Sequence, residues 1–291
     1  MSTLHGIFVA PFADFAFMAR ALAGAVTLAV SAGPLGVFLM LRRMSLAGDA
    51  MSHGILPGAA LGFLVAGLDV LPMTIGGFAA GLAVALASGL VARLTVQRED
   101  TSLAAFYLIS LALGVLLISL RGSSVDLMHV LFGSVLALDD AALLLIGTVA
   151  TVSLAGLALI WRPLVAECLD PGFLRSVSRA GPVAHLAFLA LVVLNLVAGF
   201  QALGTLLAVG LMMLPAAAAR FWTQRLETMA PLAAGIGAAS AYAGLVLSFH
   251  LGVASGPAII LVAGAIYLAS LVVGRSGVLR TRLQPHRHRT A

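Results

Sequence analysis

The stretch Met44-Ser-Leu-Ala-Gly-Asp49-Ala-Met-Ser-His53-Gly-Ile-Leu-Pro57-Gly58 opens an apolar segment that continues to Leu68. As a helix rising ~1.5 Å per residue, that segment is long enough to cross a hydrocarbon core of ~30 Å. Asp49 and His53 stand four residues apart, so a helix projects both from one face, one turn from each other. With Met44 at the membrane edge, His53 lies ~13 Å in, close to the middle of the core. Ionisable side chains at that depth are costly, and by default they mark an ion or substrate path.

Working outward, the whole chain has the same character. It has 291 residues, of which 62% are hydrophobic and only 9% charged, with a mean hydropathy of +1.13. A soluble domain carries roughly 25% charged residues. The apolar runs are continuous over ~18 or more residues, and the ten-residue alternation of a membrane barrel is absent. The expected fold is an all-α, polytopic membrane bundle of about 8–10 transmembrane helices. Apolar runs fall at 17–41, 44–68, 72–92, 103–120, 139–161, 183–200, 202–219, 229–250 and 256–274. Residues 1–274 read as one transmembrane domain, and 275–291 as a basic tail.

All sixteen basic residues are arginine. Without lysine the chain lacks the P-loop residue that reaches nucleotide phosphates, which excludes ATP hydrolysis by that machinery. Nine crossings with the N-terminus outside put Arg42/Arg43, Arg93/Arg98, Arg162/Arg175/Arg179, Arg220/Arg225 and the tail on the cytoplasmic side. Arg121 is the exception among the loops, and the asymmetry fits the positive-inside rule. The net charge of +5 therefore speaks for membrane topology rather than nucleic acid. No positive n-region precedes the first apolar run, so no cleavable signal peptide is expected. His-Glu-x-x-His and Gly-x-Ser-x-Gly are both absent, which argues against an enzyme. The single cysteine, Cys168, reads as an incidental thiol in a polar loop.

Small residues recur at every fourth position in two segments: Gly54, Gly58, Gly62, Ala66 and Gly77, Gly81, Ala85, Gly89. Such ridges let helix backbones approach closely in lipid. The first ridge lies beside the Asp49–His53–Pro57 row, which points that row toward protein. Pro57 removes a backbone hydrogen bond and predicts a kink just past the histidine. The longest polar interruption runs from Arg162 to Pro182. There Asp170 is placed to cap a short helix with Pro171 at its first position, and Phe173, Leu174 and Val177 form its apolar side.

Two readings of Asp49 and His53 stand at this point: a metal or proton site, or a helix-start carboxylate with a histidine bonded to a neighbouring helix. Two ligands make a poor metal site, since zinc usually takes four, whereas a two-fold homodimer supplies two Asp and two His. Asp126 and His129 share a face at i, i+3 in a loop expected outside. His185 and His250 flank apolar segments, and His286 and His288 lie in the tail beside anionic lipid.

Four stretches in order resemble the membrane subunits of zinc/manganese/iron ABC importers. They are Leu41 to Gly58 with its Asp-x-x-x-His signature, Asp126 to Leu136, Leu203 to Arg220 with Pro215, and Ser255 to Gly264. The resemblance implies a homodimeric permease of a bacterial inner membrane, with Asp49 and His53 on the metal path. It also implies a separate cytoplasmic ATPase dimer and an extracytoplasmic metal-binding protein as partners. The segment 162–182 looks like the family's coupling segment, with Glu167, Asp170, Pro171, Phe173 and Leu174 facing the ATPase. The acidic residue usual after that proline is Gly172 here. No permanently bound cofactor is expected; the cargo is a divalent ion, with zinc or manganese favoured and iron possible. Mixed carboxylate and imidazole ligands disfavour a thiolate-selected ion such as Cu(I). The competing class is a standalone ion-coupled metal carrier, which usually needs more intramembrane carboxylates than Asp49.

Overall fold

The computed structural model describes residues 5–6, 8–67, 69–96, 99–120, 135–170, 174, 178 and 180–279. Among them the chain is helical throughout, with no strand. After a short α1 (Ala10–Asp14) come α2 (Ala16–Leu41), α3 (Ala47–Gly54), α4 (Leu56–Ala66), α5 (Val70–Leu94) and α6 (Glu99–Leu120). The second half holds α7 (Asp140–Leu169), α8 (Ala180–Leu203), α9 (Thr205–Arg220), α10 (Leu226–Leu251) and α11 (Ser255–Val273). Among the described residues eight spans are long and apolar enough to cross a membrane, α3 and α4 counting as one, and α9 is a shorter apolar helix of 16 residues. The fold class expected from hydropathy is the one observed.

Local chemistry explains where the helices begin and break. Asp69 and Asp139 cap α5 and α7, their carboxylates accepting from Leu71 N at 3.3 Å and Ala142 N at 2.8 Å, as N-cap aspartates do. The segment 44–68 is two helices rather than one, interrupted at Ile55. Pro57 has no N–H to donate to the His53 carbonyl one turn back. α7, by contrast, runs two turns beyond Trp161 into the stretch read as a polar connector. Leu164 is wholly buried, and Val165 and Cys168 pack against the core, so an apolar stripe holds these turns to the bundle. Cys168 is thus a half-buried helical residue rather than a loop thiol. Between α8 and α9 the chain reverses at one residue, Gly204, whose φ of 94° suits glycine.

The centre of the bundle is made by α2, α7 and α8. Phe38 meets Trp161 edge-on with ring centroids 5.1 Å apart, and Phe188 at 6.1 Å. Deeper in, Ser31 Oγ donates to Asn195 Oδ1 at 3.0 Å and Asn195 Nδ2 donates to Ser153 Oγ at 2.8 Å. Asn195 has no exposed surface. An interhelical polar bond of this kind contributes about 0.6–1.7 kcal/mol in a membrane protein. Asn195→Ala removes two bonds that join three helices. The variant should melt several degrees below wild type in detergent, measured by the loss of a monodisperse species on heating. An unchanged midpoint would show that the clamp contributes nothing.

One end of the bundle collects the arginines. Met40, Arg220, Phe221 and Tyr267 line one depression there, and Trp222, Arg225, Thr228 and Arg275 line the next. Arg42 lies over the Phe188 ring at 5.9 Å on this side. At the opposite end Arg20 meets Asp140 at 3.3 Å, both well exposed, a pair that adds little stability.

Candidate metal site

α3 carries the Asp49–His53 pair into the bundle. Asp49 Oδ1 and His53 Nε2 are 3.8 Å apart, so one small cation between them can touch both. The depth of the pair follows from its neighbour Gly54, which faces Val84 of α5. Val84 is ten residues from the Leu94 end of that helix and fourteen from Val70.

Two residues of α6 shape the surroundings. The Tyr107 ring lies 6.2 Å from the His53 ring. Ser110 Oγ donates to the Gly54 carbonyl at 2.9 Å, tying α6 to the turn that holds the histidine. His53 Nδ1 is buried with no hydrogen-bond partner among the described residues, which leaves a nitrogen lone pair or N–H to be satisfied from elsewhere. On the other side of α3 and α4, a β-carbon on Gly58 would overlap the Gly76 carbonyl and lie 2.7 Å from Ala80 Cβ. One on Gly62 would sit 2.5 Å from the Pro72 carbonyl oxygen. The small-residue row therefore abuts α5, while the Asp49–His53 row faces α6 and the outside.

The pair is not enclosed by its own chain. The Asp49 side chain is 62% exposed and that of His53 is 29% exposed. Among the described residues no three His, Cys, Asp or Glu side chains gather as a metal-holding group. Asp49 also opens onto a cavity of about 250 Å³, lined by Arg43, Asp100, Leu103, Ala104 and Tyr107 among others. Sequence reasoning passed over Asp100, Tyr107 and Ser110. Asp100, Leu103, Ala104 and Tyr107 follow i, i+3, i+4, i+7 spacing, which was the available signal for one shared face.

The other residues singled out in the sequence are dispersed. Glu167, in the last turn of α7, has Oε2 against Gly181, and Leu174 is only 8% exposed, packed on Gly181. Leu174 N donates to the Asp170 carbonyl at 3.2 Å, and Asp170 is exposed. Leu174 is thus turned toward its own chain, not offered outward as an apolar loop side chain. Pro171 and Phe173 lie outside the described residues, as do Asp126, His129, His286 and His288. His185 is buried at 5% exposure near the start of α8, and His250 packs on the Phe249 ring at the end of α10.

The apolar helical bundle defines a multi-pass membrane protein with a partly exposed carboxylate–imidazole pair on one of its spans. The chain belongs to the ABC 3 transport family, whose model matches residues 14–274. It is 33% identical to the manganese import system permease protein ScaB of Streptococcus gordonii, over 91% of this chain and 94% of that protein. It is 34% identical to the manganese transport system membrane protein MntC of Listeria monocytogenes, over 94% and 96%. The chelated iron transport system membrane protein YfeD of Yersinia pestis is 28% identical over 97% and 93%. In three dimensions it is similar to a chain of PsaBC from Streptococcus pneumoniae in complex with Fab. That match has a TM-score of 0.83 at 31% identity and covers 94% of this chain and 98% of the other.

Proposed function

We propose that the chain is the membrane-spanning permease subunit of an ATP-driven importer for a divalent transition metal in a bacterial inner membrane. The carrying observation is the Asp49–His53 pair, 3.8 Å apart on one helix inside a bundle of the ABC 3 family. Manganese is the favoured cargo and iron the next, because the relatives carry those metals in their names; oxygen and imidazole ligands suit both. Two copies of the chain, each contributing one exposed Asp49 and one half-exposed His53, complete the metal's shell across a two-fold axis.

The driving force comes from a separate cytoplasmic ATPase dimer, since this chain has no lysine for a P-loop. An extracytoplasmic metal-binding protein delivers the ion, and alternating access moves it across. The positive-inside rule supports a cytoplasmic arginine end, with the C-terminus on the same side. The segment after α7 receives the ATPase, with Asp170, Pro171 and Phe173 as its binding residues, while Leu174 and Glu167 anchor the segment to the start of α8.

The test is manganese uptake into proteoliposomes holding this chain with a candidate partner ATPase. Uptake should require ATP inside the assay and stop when the ATPase is omitted. Uptake by the permease alone, driven by an ion gradient, would overturn the reading in favour of a standalone carrier.

A further inference from the structure

α2 ends in a two-bond closure, with Met44 N donating to Leu39 O at 2.9 Å and Arg43 N to Met40 O at 3.1 Å. That pattern places the residue after the cap in the left-handed region, where glycine is the usual occupant. Here the residue is Arg43, with φ 59°, the one non-glycine residue at positive φ among those described. A side chain is disfavoured at that conformation, and such outliers gather where the side chain serves a function.

The Arg43 side chain has a specific setting. It lines the cavity of about 250 Å³ into which Asp49 opens, with Asp100 and Tyr107 across from it on α6. Tyr107 joins this cavity to the histidine, its ring 6.2 Å from that of His53. In the other direction Ile55 and Leu56 are 0% and 4% exposed, and a β-carbon added to Gly114 of α6 would stand 3.0 Å from Pro57 N and 3.1 Å from Leu56 Cβ. The cavity lies at the arginine end, beside the end of α2 and the start of α6.

We propose that this cavity is the vestibule through which the metal ion leaves the Asp49–His53 site, and that Asp100 and Arg43 set its charge; this rests on the permease reading above. Among the described lining residues, Asp49 and Asp100 contribute two negative charges and Arg43 one positive, leaving one net negative charge. A conduction path must attract its ion yet let it go. Asp100 provides the next carboxylate after Asp49, so the divalent ion does not step straight from a ligand into bulk water. Arg43 offsets one carboxylate and competes with the ion for both, so the ion is not retained. Charge in a low-dielectric cleft changes ion flux by about tenfold or more.

The experiment reads initial manganese uptake by the reconstituted importer and, separately, the equilibrium manganese content of the purified permease. Asp100→Asn should slow uptake about tenfold while equilibrium content stays at the wild-type level. Arg43→Gly, which also relieves the strained backbone, should raise retention and slow uptake. The double variant restores one net negative charge and should transport faster than Asp100→Asn alone. Wild-type uptake in Asp100→Asn, or a double variant no faster than that single one, overturns the vestibule. Loss of equilibrium metal in Asp100→Asn also overturns it, because Asp100 would then be a ligand of the site. His53→Ala is the control for the underlying reading: if it keeps both metal and uptake, the site reading fails, and with it the path this vestibule serves.

Discussion

His53→Ala should, on the importer reading proposed above, abolish manganese uptake while the chain still inserts and folds. The imidazole is half-buried and packs beside Tyr107, so its loss leaves the α3–α6 contact through Ser110 and Gly54 in place. Loss of a partner that merely orients a ligand already costs on the order of 10–100-fold in metal affinity, and the loss of a ligand should cost at least as much. Asp49→Asn should act alike, since its amide oxygen is a weaker donor to a divalent ion than a carboxylate. Purified wild type should hold one ion per two chains and lose it as the medium is acidified, because protons compete for both groups. The measurement pairs metal content across a pH series with the mass in detergent. A fully loaded monomer, or wild-type uptake in both variants, would leave Asp49 and His53 as structural residues.

The second large effect is steric. Gly58→Ala places a β-carbon on the Gly76 carbonyl of α5, backbone against backbone, with Ala80 close behind. Neither helix has a flexible side chain there to yield, so α4 and α5 must separate. Overpacking of this kind costs about 1–3 kcal/mol. The effect should appear as poor yield of folded protein and a lower melting midpoint, and it should be larger than that of Gly54→Ala, whose β-carbon meets only Val84 side-chain atoms at 3.4–3.5 Å. Equal stability of the two variants would show that the helices part easily.

The helices themselves were legible because apolar length is a local property: each run read from the sequence falls on a helix. Pro57 also announced the break at Ile55, since the lost N–H is a covalent fact. The continuation of α7 was hidden, because Arg162 and Pro163 look like an end until Leu164 and Cys168 are seen docked on the core. Asn195 was passed over for the same reason. Within the run 183–200 it is one of two polar residues, with His185, and its partners lie on α2 and α7. The site was legible as a pair, through i, i+4 spacing. Its surroundings were not: Asp100 and Tyr107 reach it only by the packing of α6, and the strained Arg43 has no signature in composition. The exposure of Asp49 had no signal at all, because one chain's pattern says nothing of what covers it.

The Ser31–Asn195–Ser153 clamp also has a consequence for synthesis. Ser31 and Asn195 are 164 positions apart, so α2 enters the membrane long before its partner exists. In the interval the Ser31 hydroxyl has an acceptor within its own helix, the Leu28 carbonyl at 3.1 Å, a back-bond that lets it wait in lipid without an open donor. Ser153 arrives next on α7, still without the amide that joins the two. The centre of the protein therefore closes late, when α8 leaves the ribosome and slides between helices already inserted.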